Sequence, residues 1–290
     1  MVNYGYELLE VCNKRHISIC EYTLEEEAKT TGLTYEQVFE KMRKNLQVMK
    51  SAAEIGLNNE IISISGIIGG DAYKLNKYLK EGKTLTGDFM VTAMARALSS
   101  SEVNASMGNI VAAPTAGSCG IIPAVIISAG EKLSLTEDEM VKALFTATGI
   151  GIIIAKNATL SGAEGGCQAE CGSAAAMASA AAVEMMRGTP EQALNAAAIV
   201  FKNILGLVCD PIAGLVEVPC AKRNVAGAIS ALTTADMVMA GVISKIPFDD
   251  TVEAMYKIGK KMPSEFRETA LGGLAITETG LKLKKQVFGK

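Results

Sequence analysis

The 290-residue sequence contains one histidine, His16, but seven cysteines. Because imidazole is so scarce, thiolate is the soft ligand available in quantity, which favours an iron–sulfur or zinc site over a histidine-bound metal. An odd number of cysteines in a chain of this length does not resemble a disulfide framework. We therefore expect the thiols to be reduced.

The sequence also lacks a strong excess of charge of either sign. It has 28 Lys and Arg against 31 Asp and Glu, a formal net charge of −3. This balance gives no reason to expect binding to nucleic acid or to an anionic membrane surface, so we expect a small-molecule ligand. The first residues include no basic segment followed by an apolar one, so we expect no secretory signal and a cytoplasmic protein.

No charged residue occurs between Val103 and Gly130, a length that could cross a bilayer. Pro114 and Pro123 interrupt the stretch, and its Asn, Ser and Thr side chains would be poorly satisfied in hydrocarbon. We therefore predict a buried element of a soluble protein and no membrane span.

Strand signals are scarce, since only residues 61–65 alternate briefly between apolar and polar side chains. Helix signals are frequent. A threonine followed three residues later by Glu or Gln, the spacing of a capping box, predicts a helix start at Thr23, Thr34, Thr136 and Thr189. After Thr34, apolar residues recur every three or four positions as far as Gly56, which predicts one amphipathic helix.

Residues 173–183 consist almost wholly of Ala, Ser and Met, and such small side chains let helix axes approach closely. We predict an all-α fold, a compact Ala/Gly-rich helical bundle. No repeat or linker divides the chain, so we expect a single helical catalytic domain over residues 1–290. Within it, residues 1–56 would form an N-terminal annex, 57–282 the core and 283–290 a basic tail.

Three cysteines stand at Gly- or Pro-containing turns: Cys167 after two glycines, Cys209 before Asp-Pro, and Cys220 after a proline. Thiols at backbone breaks are well suited to converge on a metal, although cysteine is also an ordinary buried core residue. Spacing alone leaves both interpretations open. Cys171 lies four residues after Cys167 and could serve a zinc site, but it falls inside a predicted helix and we do not expect it to be a ligand.

Two loops of small residues could bind an anion such as a carboxylate through exposed amides and hydroxyls. They are residues 112–120 (AAPTAGSCG) and 65–74 (SGIIGGDAYK). Neither matches a P-loop or a dinucleotide fingerprint, so we predict no nucleotide.

Three blocks of this chain resemble the α chain of iron–sulfur-dependent L-serine dehydratases. They are residues 104–120 (NASMGNIVAAPTAGSCG), 163–170 (AEGGCQAE) and 207–224 (LVCDPIAGLVEVPCAKRN). The blocks are long, and the similarity extends from about Asn59 to beyond Gly241.

The resemblance implies a mostly helical catalytic domain with a [4Fe–4S] cluster on Cys167, Cys209 and Cys220. The implied reaction converts L-serine to pyruvate and ammonia, and a separate β chain completes the enzyme. Hydroxide is a poor leaving group, and an iron without a protein ligand would act as the Lewis acid for its departure.

A base must also take the Cα proton of serine. The residues do not identify this base: Cys119 is our candidate, and the alternatives are a residue of the β chain, Lys74 and Glu164. We assign the substrate carboxylate and ammonium to the two loops of small residues. Their predicted substrate-binding residues are Ser65, Gly66, Thr115, Ala116, Gly117 and Ser118.

Two other classes of protein stay open. One is a pyridoxal phosphate lyase with Lys156 as the Schiff-base lysine, although a lysine beside an apolar run is more often a helix-end charge that reaches water. The other is a non-catalytic subunit whose thiolates hold structural zinc.

Overall fold

The computed structural model describes residues 1–289 and is 71% helical. Within those residues no β-strand forms, and pairing is limited to two isolated bridges, Ile62 with Gly69 and Cys209 with Arg267. The prediction of an all-α fold is confirmed.

Thirteen α-helices lie within residues 1–289. In chain order they are α1 Gly5–Arg15, α2 Ile19–Thr31, α3 Tyr35–Asn58, α4 Asp71–Lys80, α5 Gly87–Ala105, α6 Ile121–Lys132, α7 Glu137–Asn157, α8 Gly162–Gly165, α9 Cys167–Met185, α10 Pro190–Ile204, α11 Cys220–Met239, α12 Phe248–Lys261 and α13 Glu278–Phe288.

Three of the four predicted capping boxes begin helices. The hydroxyls of Thr34, Thr136 and Thr189 accept the backbone N–H three residues later at 3.3, 3.3 and 3.2 Å. Each hydroxyl satisfies an N–H that has no partner within the first turn. The starts of α3, α7 and α10 are therefore confirmed.

Two local predictions are wrong. Thr23 is buried within α2, which begins four residues earlier, where Ser18 accepts the N–H of Glu21 at 3.1 Å. Helix α3 does not end at Gly56 but runs through it. Gly56 donates its N–H to the hydroxyl of Ser99 at 2.9 Å, and a Cβ at Gly56 would lie 2.7 Å from that oxygen. Glycine is thus needed here for the close crossing of α3 and α5.

Helix α9 forms the centre of the bundle. Every residue from Cys167 to Val183 is buried, and α6, α7, α10 and α11 pack around the helix. A helix buried on all sides has mostly small or apolar residues on every side, and the alanines and serines of α9 let four neighbours approach. Because Cys167 is the first residue of α9, the packing of this helix fixes the position of its thiol.

The first three helices contribute Leu8, Ile19 and Leu46 to the main hydrophobic core. The division into annex and core stays a prediction. The expected basic tail continues α13 as far as Phe288, and Lys290 lies outside the described residues. None of the helices in the described part combines the length and apolar character needed to span a membrane.

We predict that enlarging a central alanine destabilises the bundle. Ala175 of α9 is fully buried, and its Cβ lies 3.6 Å from the position that a Cβ on Gly227 of α11 would take. Ala175→Leu should lower the free energy of unfolding in urea by about 1–3 kcal/mol, because a well-packed core cannot accept the added volume. Ala226→Leu, at an exposed position of α11, is the matched control. It should change the free energy of unfolding by less than about 0.5 kcal/mol. Equal effects of the two changes would contradict the close packing of α9.

Candidate metal centre

The structure places all three predicted ligands at breaks in the backbone. Cys167 begins α9 directly after Gly166, whose φ is 76°, Cys209 lies in the loop between α10 and α11, and Cys220 begins α11. Their exposed fractions are 0%, 2% and 4%, so all three are buried. The turn context inferred from the sequence is therefore present.

These cysteines share one region of the interior. Hydrogen bonds from the thiols of Cys171 and Cys209, together with the nearby Arg223 guanidinium, lower the pKa of the Cys167 thiol to about 3. The pKa of Cys209 is raised because its thiol donates to Cys167. Burial and then the charge of Cys167 raise the pKa of Cys220. A thiol held as thiolate is the form that binds metals.

Cys171 joins this group, although we did not expect it to be a ligand. The ligand atoms of Cys167, Glu170 and Cys171 all lie within 4.8 Å of one another, close enough to hold a metal ion. The spacing of four residues along α9 is the signal for this proximity, since residues i and i+4 share a helix face. The centre therefore offers four thiols, and which of them bind a metal remains a prediction.

The buried Gln168 connects the turn at Cys167 to the loop that contains Cys209 through hydrogen bonds. The Gln168 side chain accepts the N–H of Gly206 at 2.9 Å and donates to the carbonyls of Gly165 and Met255 at 3.0 Å each. Its backbone N–H donates to Leu207 O at 3.0 Å. A carboxamide with no exposure must satisfy its polar atoms inside the protein, and here it does so by joining three segments.

Arg223, in the first turn of α11, connects this helix to the loop that contains Cys209. Its guanidinium donates to Val208 O at 2.8 Å and forms an ion pair with Asp210 at 2.8 Å. The ion pair is largely buried, where water screens the two charges much less than at the surface. The cation also lies close enough to Cys167 to favour its thiolate.

A cavity of about 600 Å³ opens beside the thiols and is lined by Thr115, Gly117, Glu170 and Glu268 among others. The Thr115 hydroxyl donates a hydrogen bond to Glu170. Burial raises the pKa of Glu170 to about 7 and also raises the pKa of Glu268. A cavity of this size can take a small polar molecule, and its carboxylates would attract a cationic group.

Gly162 shows how tightly the cavity adjoins the thiols. A Cβ at this glycine would lie 3.0 Å from Cys209 Sγ and 3.3 Å from one oxygen each of Glu170 and Glu268. The thiol and both carboxylates therefore surround one small space. Glu268 reaches it because its backbone N–H donates to Cys209 O at 2.8 Å. No signal in the sequence around Glu268 predicts this placement.

The two predicted loops differ in their relation to the cavity. Thr115, Ala116 and Gly117 line it, and the buried Ser118 hydroxyl lies 3.0 Å from that of Thr115. Ser65 does not line it.

The Ser65 hydroxyl donates to the buried carboxylate of Glu217 at 2.6 Å, and the exposed Gly66 follows in the same turn. The structure thus brings only the first loop to the thiol centre directly.

Cys119, the candidate base, and Lys156, the candidate Schiff-base lysine, do not line the cavity. Cys119 is 2% exposed, its thiol donates to Ser100 O at 3.6 Å, and burial raises its pKa to about 12. Lys156, the candidate Schiff-base lysine, donates from Nζ to Met1 O and Val2 O at 2.9 and 2.8 Å. Its ammonium holds the N-terminal segment and does not face the thiols.

The fold and site define a helical protein with a buried, thiol-rich centre that could hold a metal beside a cavity of substrate size. Residues 14–275 match the family described as serine dehydratase alpha chain. The chain is 50% identical over 283 residues to the probable L-serine dehydratase, alpha chain, of Bacillus subtilis, covering 98% of this chain and 94% of the relative. It is also 50% identical over 285 residues to the L-serine dehydratase, alpha chain, of Peptoniphilus asaccharolyticus, covering 98% of both.

A third relative, an L-serine dehydratase of Escherichia coli, is 36% identical over 281 residues, which are 93% of this chain and 60% of the longer relative. This chain belongs to the serine dehydratase alpha-chain family, and the prediction of an enzyme of the lyase class is confirmed.

We predict that Gly162→Ala weakens metal binding. The added methyl group would press on Cys209 Sγ and on two carboxylates, so metal affinity should fall by roughly tenfold, as happens when the surroundings of metal ligands are disturbed. Metal bound per chain, measured against a competing chelator under anaerobic conditions, checks this.

Gly172→Ala is the matched control, because a Cβ there meets its nearest atoms at 3.5 Å, an ordinary contact. It should keep full metal affinity and raise the free energy of unfolding by roughly 0.5–1 kcal/mol. Unchanged affinity in Gly162→Ala would show that Cys209 takes no part in binding.

Proposed function

We propose that this chain is the α subunit of an iron–sulfur-dependent L-serine ammonia-lyase that converts L-serine to pyruvate and ammonia. The observation that carries the proposal is the convergence of buried thiols on a cavity lined by a small-residue loop and two carboxylates. The names of the relatives, which are L-serine dehydratases, support the substrate.

The proposed cofactor is a [4Fe–4S] cluster held by Cys167, Cys209 and Cys220. The donor set fits it, because the thiols are buried, thiolate is favoured at Cys167, and an arginine offsets part of the negative charge. Three protein ligands leave one iron of such a cluster free, and that iron would supply Lewis acid chemistry for departure of the serine hydroxyl.

The chain's own residues would bind and orient serine. Thr115, Ala116, Gly117 and Ser118 form a turn that can offer hydroxyls and amides to the substrate carboxylate. Glu268 and the ionised fraction of Glu170, whose pKa is about 7, would supply negative charge for its ammonium group.

The second predicted loop has a less direct part in this proposal. Ser65 and Gly66 would support the site through Glu217, which lies three residues before Cys220 and accepts the Ser65 hydroxyl. In this arrangement the Ser65 loop supports the turn that carries Cys220, a proposed cluster ligand, without contacting serine.

The base for the Cα proton stays a prediction. Cys119 is the candidate named from the sequence, but its burial and raised pKa disfavour the thiolate that a base requires. The alternatives are Lys74, Glu164, which lines the cavity, and a residue of a partner chain that faces it.

A separate β chain is the proposed partner. The Bacillus subtilis and Peptoniphilus asaccharolyticus relatives are named as alpha chains, and this chain covers nearly their whole length. It covers only 60% of the Escherichia coli relative, whose name carries no chain designation. We infer that the remaining part of the enzyme is a second polypeptide.

Two experiments on the purified chain test the proposal. After anaerobic reconstitution we expect a brown protein with about four irons and four acid-labile sulfides per chain, as a [4Fe–4S] cluster contains. With the β chain added, L-serine should yield pyruvate. A colourless protein that binds zinc instead would support the structural zinc alternative, and a yellow protein would support pyridoxal phosphate; either would overturn the proposal.

Single cysteine changes test the ligand set. Most of the cluster and of the activity should be lost in each of three variants, Cys167→Ala, Cys209→Ala and Cys220→Ala. The reason is that the two remaining cysteines would hold the cluster poorly. Cys171→Ala should keep both, as should Cys12→Ala, a buried cysteine of α1 and the matched control. Loss of iron in Cys171→Ala would instead make Cys171 a fourth ligand and contradict the free iron.

Neutralising Glu268 tests the ammonium site. Glu268→Gln should raise KM for L-serine by roughly 10- to 100-fold, because a charge-assisted contact is worth about 1.5–3 kcal/mol, with the iron content unchanged. Glu265→Gln, an exposed carboxylate three residues away, is the control and should leave KM unchanged. If Glu268→Gln has the KM of the unmodified protein, this carboxylate does not contact serine.

A further inference from the structure

Asn224 connects the Cys220 turn to the small-residue loop of the cavity. It lies one helical turn after Cys220 in α11 and is 1% exposed. Its Nδ2 donates to Cys220 O at 2.9 Å and to Gly117 O at 2.7 Å, and its Oδ1 accepts the N–H of Gly120 at 2.9 Å.

These bonds hold the loop at two points in its C-terminal half. Gly117 lies within the turn Ala116–Ser118, and Gly120 directly precedes α6. The loop is thus held against the first turn of α11 by one rigid, planar amide. Hydrogen bonds of a fully buried amide are costly to leave unmade, so the loop and the Cys220 turn cannot shift independently.

The role of Asn224 differs from that of the other two buried side chains at this centre. Gln168 and Arg223 join the segments that carry the thiols to each other. Asn224 instead joins one thiol segment to the wall of the cavity, where Thr115 and Gly117 lie.

We propose that Asn224 is a positioning residue that fixes the distance between the Cys220 turn and the loop proposed to bind the substrate carboxylate. The inference rests on the proposed function. Serine must present its hydroxyl to the metal centre while its carboxylate stays in the loop, so the separation of these two points limits how well it binds. Asn224 sets that separation without touching serine.

The test compares two changes at this position with one at a matched asparagine. Asn224→Ala removes all three hydrogen bonds. Asn224→Asp has almost the same size and keeps the acceptor for Gly120, but an ionised carboxylate can donate to neither carbonyl. If Asn224→Ala does not fold, Asn224→Asp carries the test. Asn195→Ala is the control, since Asn195 also donates to the carbonyl four residues earlier and accepts a distant backbone N–H, that of Ser244, at 3.0 Å each.

Three measurements are made on each reconstituted protein: iron and sulfide per chain, KM and kcat for L-serine with the β chain, and hydrogen–deuterium exchange of residues 115–122. For the Asn224 variants we expect iron and sulfide counts equal to those of the unmodified protein. We expect KM to rise by roughly 10- to 100-fold, the usual effect of changing a residue that supports a metal site, with a smaller change in kcat. Exchange in the loop should be faster, and Asn195→Ala should show none of these effects.

Unchanged KM and unchanged loop exchange in an Asn224 variant with full iron content would overturn the inference. Loss of iron with an unaltered KM in the loaded fraction would also overturn it, because that result describes a purely structural side chain. Failure of the proposed function would appear separately, as an unmodified protein without a cluster or without serine activity.

Discussion

The burial of thiols and carboxylates in one small region is the constraint on which the rest of this structure depends. Negative groups in a protein interior are costly unless fixed hydrogen-bond donors and cations face them. Here Arg223 supplies a cation beside Cys167 and Asp210, and the side-chain amides of Gln168 and Asn224 hold the surrounding backbone segments in place. The alanine-rich helix α9 makes this arrangement possible, because its small side chains allow four helices to pack around it and so fix its first residue, Cys167.

The class of fold could be predicted from the sequence because its signals are local. The hydroxyls of Thr34, Thr136 and Thr189 cap helices through residues only three positions away. The same pattern failed at Thr23, and glycine failed as a stop signal at Gly56. The two failures have different causes. Ser18 and Glu21 form a capping box of the same local kind, which starts α2 before Thr23, whereas the close packing of α5 requires a glycine within α3. A tertiary contact therefore explains only the failure at Gly56.

The candidate site was predictable to the extent that its residues stand at recognisable turns. Cys167 follows a glycine, Cys220 follows a proline and Cys209 precedes Asp-Pro, and the structure buries all three at breaks in the backbone. Their joint binding of a metal stays a prediction, since the ligand atoms close enough to share an ion are those of Cys167, Glu170 and Cys171. Glu268 could not be found in this way, because it reaches the cavity through a backbone hydrogen bond to a residue 59 positions earlier in the chain. The Ser65 loop resembles the loop at Thr115 in composition, yet its contact with Glu217 holds it away from the cavity.

The central claim is that three thiolates hold a [4Fe–4S] cluster and leave one iron free for serine. Mössbauer spectroscopy of the protein reconstituted anaerobically with iron-57, recorded with and without L-serine in the presence of the β chain, tests it most directly. The account predicts that the signal of one iron in four shifts when L-serine is added, while the other three stay unchanged. A spectrum in which all four irons are unaffected by L-serine, or the absence of a four-iron cluster, would contradict the account.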